Sequence, residues 1–386
     1  MTKKIMIVAA EASSAHYAVH LISEWKKQKK DIYFFGVGTE KMESLGFQRL
    51  GKAEDMAIVG IVEVIKHFNH LKEVFNNLLS AAKNEKPDFV ILMDYPDFNL
   101  RLAKKLKEMN IKVFYYISPQ VWAWRKSRIY DIKANCEKVF LLFPFEKIFY
   151  DQFKVPNEFV GHPLLEDLKP QFYNSEFIQQ NRQKFGIKKD EILLALMPGS
   201  RSGEIEKNFP TQLETAKIIL KKYKNVRISI CIAPTLTKEK LIPYMHQFDY
   251  PYIFIKDDPN IMIAVADIVL VASGTATLMV GLLEKPMVIM YKVSWLTGKI
   301  GKWLVKGVRF FGLINLVLGR EVVPERSQAD ANPVALAKLL EKYIVDPVFK
   351  ESVINELKKT KTALGYNEAE KKTTTQKVVE SLNKYL

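Results

Sequence analysis

Short apolar runs recur along this chain, and segments with helical spacing of apolar residues separate them. The first series of runs covers residues 5–10, 32–37, 89–93, 113–117 and 138–142. Runs of this length, bounded by glycine or polar residues, predict strands that are buried on both faces. Strands that alternate with helices favour right-handed crossovers and a parallel sheet.

A second series begins after a polar, proline-containing linker near residues 163–172. Its runs cover residues 193–197, 226–233, 252–255, 268–272 and 287–291. A chain of 386 residues is long enough for two domains with separate cores. The sequence therefore predicts an α/β protein with two parallel sheets.

The expected domains are residues 1–167 and 168–350. Residues 351–386 are expected to form a helical, lysine-rich tail that packs across a domain or dimer surface. Ligands of open parallel sheets bind outside the carboxyl ends of the strands. We therefore expect a central cleft between the two domains to hold the ligand.

The chain is strongly basic. Lysine and arginine (58) outnumber aspartate and glutamate (43), so the formal net charge is +15. No nucleic-acid-binding motif is recognisable, and nucleic acid is not predicted as a partner. A lysine-rich composition bias and attraction to anionic lipid head groups would each account for the charge, and composition alone does not separate them.

The sequence also predicts a cytoplasmic protein. Residues 1–4 lead directly into an apolar run without a recognisable signal peptide, and no stretch reaches the roughly 18 apolar residues of a membrane span. Cys136 and Cys231 are far apart in apolar segments, as is typical of thiols in a reducing compartment. The histidines lack ligand spacing with acidic residues, and neither a metal nor a cofactor is predicted.

Two glycine-containing turns follow apolar runs of the second series. Residues 273–277 read Ser-Gly-Thr-Ala-Thr, and their hydroxyls and helix-start amides could bind a phosphate. Residues 198–201 read Pro-Gly-Ser-Arg, and the Arg201 guanidinium could neutralise a departing diphosphate. Either turn alone would be an ordinary strand–helix connection, but the pair indicates a diphosphate ligand.

A carboxylate follows the run at residues 89–93 directly. Asp94 would lie at the carboxyl end of a parallel strand, where it could accept a proton from an attacking hydroxyl. On position alone, a plain turn residue is an equally good interpretation. Asp97 is expected to cap the next helix.

Two tryptophans follow the run at residues 113–117. If the loop is extended, Trp122 and Trp124 face the same way and form an aromatic wall that could stack on a sugar or line an apolar channel. It is equally common for two such tryptophans to pack in the core and hold the next helix in place.

Residues 56–68 and 295–318 combine large apolar side chains with charged neighbours, as interfacial helices do. The first stretch could equally be ordinary core, whereas the cations of the second match an anionic surface. The side chains expected to contact a membrane are Ile58, Val59, Ile61, Val62, Val64, Ile65, Phe68, Trp303 and Phe310.

Taken in order, these segments resemble the lipid-A-disaccharide synthases, inverting glycosyltransferases of family 19. The resemblance covers nearly the whole chain and depends most on Asp-Tyr-Pro-Asp-Phe-Asn at 94–99 and Ser-Pro-Gln-Val-Trp-Ala-Trp-Arg at 118–125. Other matching segments lie at 58–64, 143–147, 161–164, 198–201, 273–278 and 315–321. The resemblance implies the GT-B fold, with two Rossmann-like domains whose parallel sheets face a central cleft.

The resemblance also implies a reaction. UDP-2,3-diacylglucosamine would be joined to the 6-hydroxyl of 2,3-diacylglucosamine 1-phosphate, giving a β-1,6-linked disaccharide 1-phosphate of lipid A biosynthesis and UDP. The amino-terminal domain would bind the acceptor and contact the cytoplasmic leaflet of the inner membrane, and the carboxyl-terminal domain would bind UDP-sugar. Family members dimerise through exchanged carboxyl-terminal segments, which gives the tail a possible partner.

The resemblance assigns the site residues as well. Asp94 and Arg201 would be catalytic. The donor-binding residues would be Gly199, Ser200, Ser273, Gly274, Thr275, Ala276, Thr277 and Asn315. The acceptor or cleft residues would be Glu11, Ser13, Asn99, Trp122, Trp124 and Arg125. The central expectation is that Asp94 of one domain faces Arg201 of the other.

Three departures from the family pattern, two in the first loop and one at Met279, keep an alternative open. The first loop reads Ala-Glu-Ala-Ser-Ser-Ala at 10–15, where the family usually has Gly-Glu-x-Ser-Gly-Asp. Met279 replaces a glutamate that binds ribose hydroxyls, and the loss of one such bond weakens binding by about 1.5–3 kcal/mol. The alternative is a non-catalytic paralogue that binds nucleotide sugar or lipid.

Overall fold

The computed structural model describes residues 2–56, 61–123, 125–234, 236–292 and 310–386, without the side chains of residues 12 and 61–68. The chain forms two compact units. Unit 1 comprises Met1–Pro163 and Leu364–Leu386, and unit 2 comprises Leu164–Ala363. Among the described residues, no helix combines the length and the apolar character needed to cross a membrane.

Unit 1 contains a parallel sheet with the strand order β3-β2-β1-β4-β5-β6-β7. The strands are β1 (Lys3–Ala9), β2 (Ile32–Gly38), β3 (Phe47–Lys52), β4 (Phe89–Met93), β5 (Val113–Tyr116), β6 (Lys138–Leu141) and β7 (Asn157–Phe159). All described residues of β4 and β5 are buried, because helices cover both faces of a parallel sheet.

Helices connect these strands. They are α1 (Ala12–Lys27), α2 (Glu40–Glu43), α3 (Ala53–Met56), α4 (Ile61–Glu85), α5 (Pro96–Glu108), α6 (Arg128–Asn135) and α7 (Pro144–Gln152). Pro96 opens α5 and Pro144 opens α7, at positions where the missing N–H of proline has no helical partner to lose.

Unit 2 contains a second parallel sheet, with the strand order β10-β9-β8-β11-β12-β13. The strands are β8 (Ile192–Met197), β9 (Val226–Cys231), β10 (Tyr252–Ile255), β11 (Ile268–Ala272), β12 (Met287–Tyr291) and β13 (Glu325–Ser327). The helices are α8 (Ser175–Lys184), α9 (Ser202–Lys222), α10 (Pro259–Ala264), α11 (Ala276–Leu282), α12 (Leu313–Leu318), α13 (Pro333–Val345), α14 (Pro347–Leu357) and α15 (Thr360–Ala363).

The carboxyl-terminal segment returns to unit 1. Its helix α16 (Thr374–Asn383) packs beside α1, and the Trp25 indole N–H donates to Asn383 Oδ1 at 3.0 Å. The Tyr385 ring lies 4.7 Å from that of Phe114, centroid to centroid. The structure therefore divides the predicted tail: residues 351–363 belong to unit 2, and only Leu364–Leu386 packs on unit 1.

The unit boundaries also differ from the predicted ones at 167/168 and 350/351. They lie at Pro163/Leu164 and at Ala363/Leu364. His162 lies just before the first boundary and Leu364 just after the second. The His162 N–H donates to the Leu364 carbonyl at 3.0 Å. The chain thus leaves unit 1 and re-enters it at neighbouring points.

Candidate functional site

The register of unit 1 brings several predicted site residues to one edge of its sheet. Ala9 pairs with Met93, and Met93 pairs with Tyr116. The residues that follow these strands, including Glu11 and Asp94, therefore begin at the same level beyond the carboxyl ends. The first loop and the Asp94 turn therefore leave adjacent strands at the same edge of the sheet.

Asp94 occupies an unusual turn. Both Asp94 (φ 51°) and Tyr95 (φ 47°) are in the left-handed region, which is unfavourable for residues with a Cβ. Ile117, which follows the neighbouring strand, has a φ of 65°. Such strained residues cluster at functional sites, where the surrounding structure holds them in place.

Buried side chains hold the Asp94 backbone. The Asp94 carbonyl accepts hydrogen bonds from the Tyr115 hydroxyl at 2.6 Å and from Asn99 Nδ2 at 2.7 Å. The Asp94 N–H donates to the Ile117 carbonyl at 3.3 Å. Asn99, predicted as an acceptor residue, is fully buried, so the described contacts give it a supporting position.

Asp97 does not cap helix α5 as predicted. The cap position belongs to Tyr95, and Asp97 lies inside the first turn with most of its side chain exposed. Its carboxylate forms ion pairs with Arg125, at 2.9 Å, and with Arg128. Arg125, predicted as a cleft residue, is thereby fixed beside the start of α5.

The tryptophan loop is not extended. Residues 121–123 form a turn in which the Ala123 N–H donates to the Gln120 carbonyl at 3.0 Å. Trp122 is partly buried and packs edge-on against Phe145, with 4.9 Å between ring centroids. The extended loop on which the aromatic wall depended is therefore absent at residues 121–123. Trp124 is outside the described residues, so the relation of the two rings stays a prediction.

Glu146, which the sequence reasoning missed, lies beneath this loop. Its Oε2 accepts hydrogen bonds from the N–H groups of Leu142 (3.2 Å) and Phe143 (3.1 Å). Burial raises the pKa of Glu146 to about 8, although these N–H groups and the Trp122 side chain oppose the rise. The sequence signal was a glutamate two residues after a proline that opens a helix.

Glu11 and Ser13 lie at the start of α1. Glu11 is partly buried and Ser13 is exposed, whereas Ser14 is buried and its hydroxyl donates to the Glu11 carbonyl at 2.9 Å. Burial, and then the charges of Glu11 and Asp97, raise the pKa of Tyr95. Glu11 thus adds negative potential near the Asp94–Tyr95 turn.

In unit 2, residues 198–201 form the turn between β8 and α9. Gly199 has a φ of 123°, and a Cβ there would lie 2.6 Å from Glu204 Cβ. The Glu204 carboxylate accepts a hydrogen bond from the Ser200 N–H at 2.8 Å and lies 3.7 Å from Arg201. A carboxylate of the chain therefore binds the main-chain amide of Ser200, a predicted donor-binding residue, and the sequence reasoning missed this contact.

The turn at residues 273–277 follows β11. The Ser273 hydroxyl donates to the Phe311 carbonyl at 3.0 Å, and the buried Thr277 hydroxyl donates to the Gly274 carbonyl at 2.9 Å. Gly274 and Thr275 are exposed, and Ala276 is partly buried. The expectation of three offered hydroxyls is corrected: the Ser273 hydroxyl donates to a carbonyl outside the turn, the Thr277 hydroxyl donates within it, and Thr275 is the exposed residue of the three.

Asn315 is fully buried rather than open to a ligand. Its Oδ1 accepts from the N–H groups of Val322 (2.9 Å) and Val323 (3.1 Å), and its Nδ2 donates to the Val323 carbonyl at 2.8 Å. Glu325 in turn accepts from the Phe311 N–H at 2.9 Å. Asn315 and Glu325 therefore hold the segments that support Ser273.

Met279, in place of the family's glutamate, is partly buried and packs against the core of unit 2. Glu284, five residues further on, lies 3.7 Å from Lys361. No described contact brings Glu284 to the turn at 273–277.

The structure describes only some of the residues that were predicted to contact a membrane. Phe310 is 8% exposed, so its ring is not among the exposed side chains, and its membrane contact stays a prediction. Residues 61, 62, 64, 65 and 68 lie on helix α4, but their side chains are outside the described set. Ile58, Val59 and Trp303 are outside the described residues.

Asp94 belongs to unit 1 and Arg201 to unit 2. Their expected opposition stays a prediction.

Comparison with solved structures shows the fold. A UDP-GlcNAc 2-epimerase from Neisseria meningitidis bound to UDP-GlcNAc is similar, with a TM-score of 0.61, 12% identity, and coverage of 99% of this chain and 100% of that one. The Anabaena HepE protein in complex with UDP and glucose has a TM-score of 0.61 at 10% identity, covering 99% and 100% of the two chains. The protein therefore has the α/β fold of the GT-B type.

Sequence comparison shows the family. The family model described as lipid-A-disaccharide synthetase matches residues 5–379. A lipid-A-disaccharide synthase from Geobacter metallireducens is 37% identical over 363 residues, covering 94% of this chain and 93% of the relative. Lipid-A-disaccharide synthase 1 from Legionella pneumophila (strain Paris) is 36% identical over 95% of this chain and 94% of the relative. The chain belongs to the lipid-A-disaccharide synthase family of glycosyltransferases in lipid A biosynthesis.

Proposed function

We propose that this enzyme joins UDP-2,3-diacylglucosamine to 2,3-diacylglucosamine 1-phosphate with inversion at the anomeric carbon. The products are the β-1,6-linked disaccharide 1-phosphate and UDP. The observation that carries the proposal is the held, strained turn at Asp94, at the carboxyl end of a central strand in a chain of this family.

In this mechanism the Asp94 carboxylate accepts the proton of the acceptor 6-hydroxyl as that oxygen attacks the anomeric carbon. Arg201, which is more than half exposed at the start of α9, neutralises charge on the departing UDP. The exposed Gly274 and Thr275 give the diphosphate room beside β11. The attacking oxygen loses a proton and the glycosidic bond to UDP breaks in the same step.

A direct test supplies purified protein with both substrates and measures disaccharide and UDP release. We expect turnover that falls by about 100- to 10,000-fold in Asp94→Asn, which is the usual contribution of a general base. UDP affinity should be unchanged, since Asp94 belongs to the acceptor unit.

The matched control is Asp151→Asn, which removes an exposed carboxylate of unit 1 that pairs with Lys147. It should keep wild-type turnover. Tight substrate binding by the wild-type protein without UDP release would instead support the alternative of a non-catalytic paralogue, and would overturn the proposal.

We also propose that the enzyme acts in the cytoplasm at the inner leaflet of the inner membrane, where its lipid substrates reside. The basic composition supports this proposal, because cations are attracted to anionic lipid head groups. Co-sedimentation with anionic but not neutral vesicles, weakened by salt, is the expected result.

A homodimer through the carboxyl-terminal segment is a further proposal. The contacts of Trp25 and Phe114 with residues 383 and 385 could be made by the same segment of a second copy. Such exchange joins protomers without new kinds of contact. Light scattering should give twice the chain mass if it occurs, and the chain mass if it does not.

A further inference from the structure

We propose that Tyr115 and Asn99 are positioning residues that hold the Asp94 turn in its reactive geometry. The inference rests on the proposed role of Asp94 as the proton acceptor, and it assigns to two buried neighbours a function in the same reaction.

The turn needs such support because its backbone is unfavourable by itself. Asp94 and Tyr95 are consecutive non-glycine residues in the left-handed region, at φ values of 51° and 47°. A chain relieved of its constraints would leave this conformation. The carboxylate is attached to the first of these residues, so relaxation of the turn would move the carboxylate.

The support comes from regular elements on both sides of the turn. Tyr115 lies on β5, the neighbouring strand, and its hydroxyl donates to the Asp94 carbonyl at 2.6 Å. Asn99 lies in the first turns of α5 and donates from Nδ2 to the same carbonyl at 2.7 Å and to the Met93 carbonyl at 3.1 Å. Strands and helices hold a site more accurately than loops do.

Both donors are fully buried, which makes their bonds hard to replace. A buried carbonyl that loses its donor cannot turn to bulk water, so the backbone itself would have to move. Asn99 serves two carbonyls at once, and Tyr115 serves the Asp94 carbonyl alone. Removing the Tyr115 hydroxyl therefore acts on the Asp94 residue more selectively.

The Tyr115 donor also persists where Asp94 must be ionised. Burial, and then the nearby Asp94 carboxylate, raise the pKa of Tyr115 well above its ordinary value. The hydroxyl therefore keeps its proton over the working pH range of a carboxylate base. Its O–H dipole offsets negative potential from the carbonyl beside that carboxylate.

The experiment compares Tyr115→Phe with a matched control, Tyr343→Phe. Tyr343 is also buried, and its hydroxyl also donates to a backbone carbonyl, that of Met287 at 3.1 Å, but in unit 2. Both variants lose one buried hydrogen bond of the same kind. The measurements are turnover per folded molecule, UDP affinity, and the pH dependence of kcat.

We expect Tyr115→Phe to lower kcat at least ten-fold, with UDP affinity unchanged, and to shift the acid-side midpoint of the kcat profile upward. Tyr343→Phe should leave kcat within two-fold and the midpoint in place. A loss of folded protein alone would not move that midpoint. Equal kcat and equal midpoints in the two variants, once corrected for folded fraction, would overturn the inference.

If Tyr115→Phe does not fold, Asn99→Ser supplies the second test, because serine is too short to reach both carbonyls. It should lower kcat without changing UDP affinity, and wild-type kcat would contradict the inference. The outcomes remain separable from the proposed function. A wild-type protein that makes no disaccharide would refute the function, whereas an active wild type with an inactive Asp94→Asn and a fully active Tyr115→Phe would refute only this inference.

Discussion

The turn at Asp94 and the turn at residues 198–201 both connect a central strand to a helix, but they are held by different means. In unit 1, non-glycine residues take the left-handed conformation, and neutral, buried donors bind the backbone. In unit 2, Gly199 takes the left-handed conformation, and the partly exposed Glu204 binds the Ser200 N–H. The first turn is preformed, whereas the second is held by a contact that a phosphate could replace.

The contrast extends to the carboxylates beside each site. Glu146 is 2% exposed and binds two N–H groups of the loop after β6. Glu204 binds one N–H group and has more than a third of its side chain exposed. A buried carboxylate that binds backbone N–H groups contributes to stability, whereas an exposed one can be displaced by a ligand. Three measurements test this difference between the two turns.

The largest effect is expected at Glu146 and depends on pH. Between its ordinary pKa of 4.5 and its value of about 8 in the folded protein, folding takes up a proton. Stability should therefore fall as pH rises through this range. Glu146→Gln should lack this fall. The difference between the wild type and Glu146→Gln in the free energy of unfolding should therefore change by on the order of 2–4 kcal/mol between pH 5 and 8.

Urea titrations at several pH values would measure the free energy of unfolding of the wild type and of Glu146→Gln. Glu137→Gln, which changes an exposed carboxylate of the same unit, should keep the wild-type pH dependence. If the free energy of unfolding varies with pH in the same way for the wild type and Glu146→Gln, protonation of Glu146 does not affect the stability of unit 1.

The second effect is expected at Gly199. Alanine there would meet Glu204 at 2.6 Å in a backbone conformation that side chains rarely adopt, so Gly199→Ala should lower the free energy of unfolding by about 1–3 kcal/mol. UDP binding should weaken as well, which calorimetry would measure. Gly203→Ala is the matched control, because nothing lies within 4 Å of its added Cβ and alanine favours helix α9. Equal destabilisation by both changes would contradict the special geometry of Gly199.

The smallest effect is expected at Glu204. Glu204→Gln removes a negative charge from the turn that is proposed to receive the UDP diphosphate, so UDP affinity should rise up to about ten-fold at low ionic strength and less at high salt. Glu206→Gln, on an exposed position of the same helix, should have little effect. A lower UDP affinity in Glu204→Gln would mean that the carboxylate shapes the turn for the ligand. Both turns would then be preformed, contrary to the difference drawn above.

The fold was predictable where strands are buried on both faces. The runs at 89–93, 268–272 and 287–291 coincide with β4, β11 and β12. The run at 252–255 coincides with β10, an edge strand that is only partly buried but has a continuous apolar sequence. The strands β3, β7 and β13 were not predicted. They are sheet-edge strands with partly exposed, polar sequences, and they lack the continuous apolar run that identifies an inner strand.

The site was predictable only as far as local sequence determines it. Asp94 could be placed at a strand end because the apolar run before it is clear. The Tyr115 contact could not be found in this way, since it joins residues 21 positions apart through the sheet register. The contacts of the Thr277 hydroxyl and the Asn315 amide could not be found for a related reason: both satisfy nearby backbone groups that become buried only in the folded unit.

The return of residues 364–386 to unit 1 has a consequence for synthesis. A ribosome completes unit 2 before it makes the helix that covers Trp25 and the Tyr385 ring that meets Phe114. The part of unit 1 that is translated first therefore keeps some of its apolar surface exposed until residues 364–386 have been synthesised.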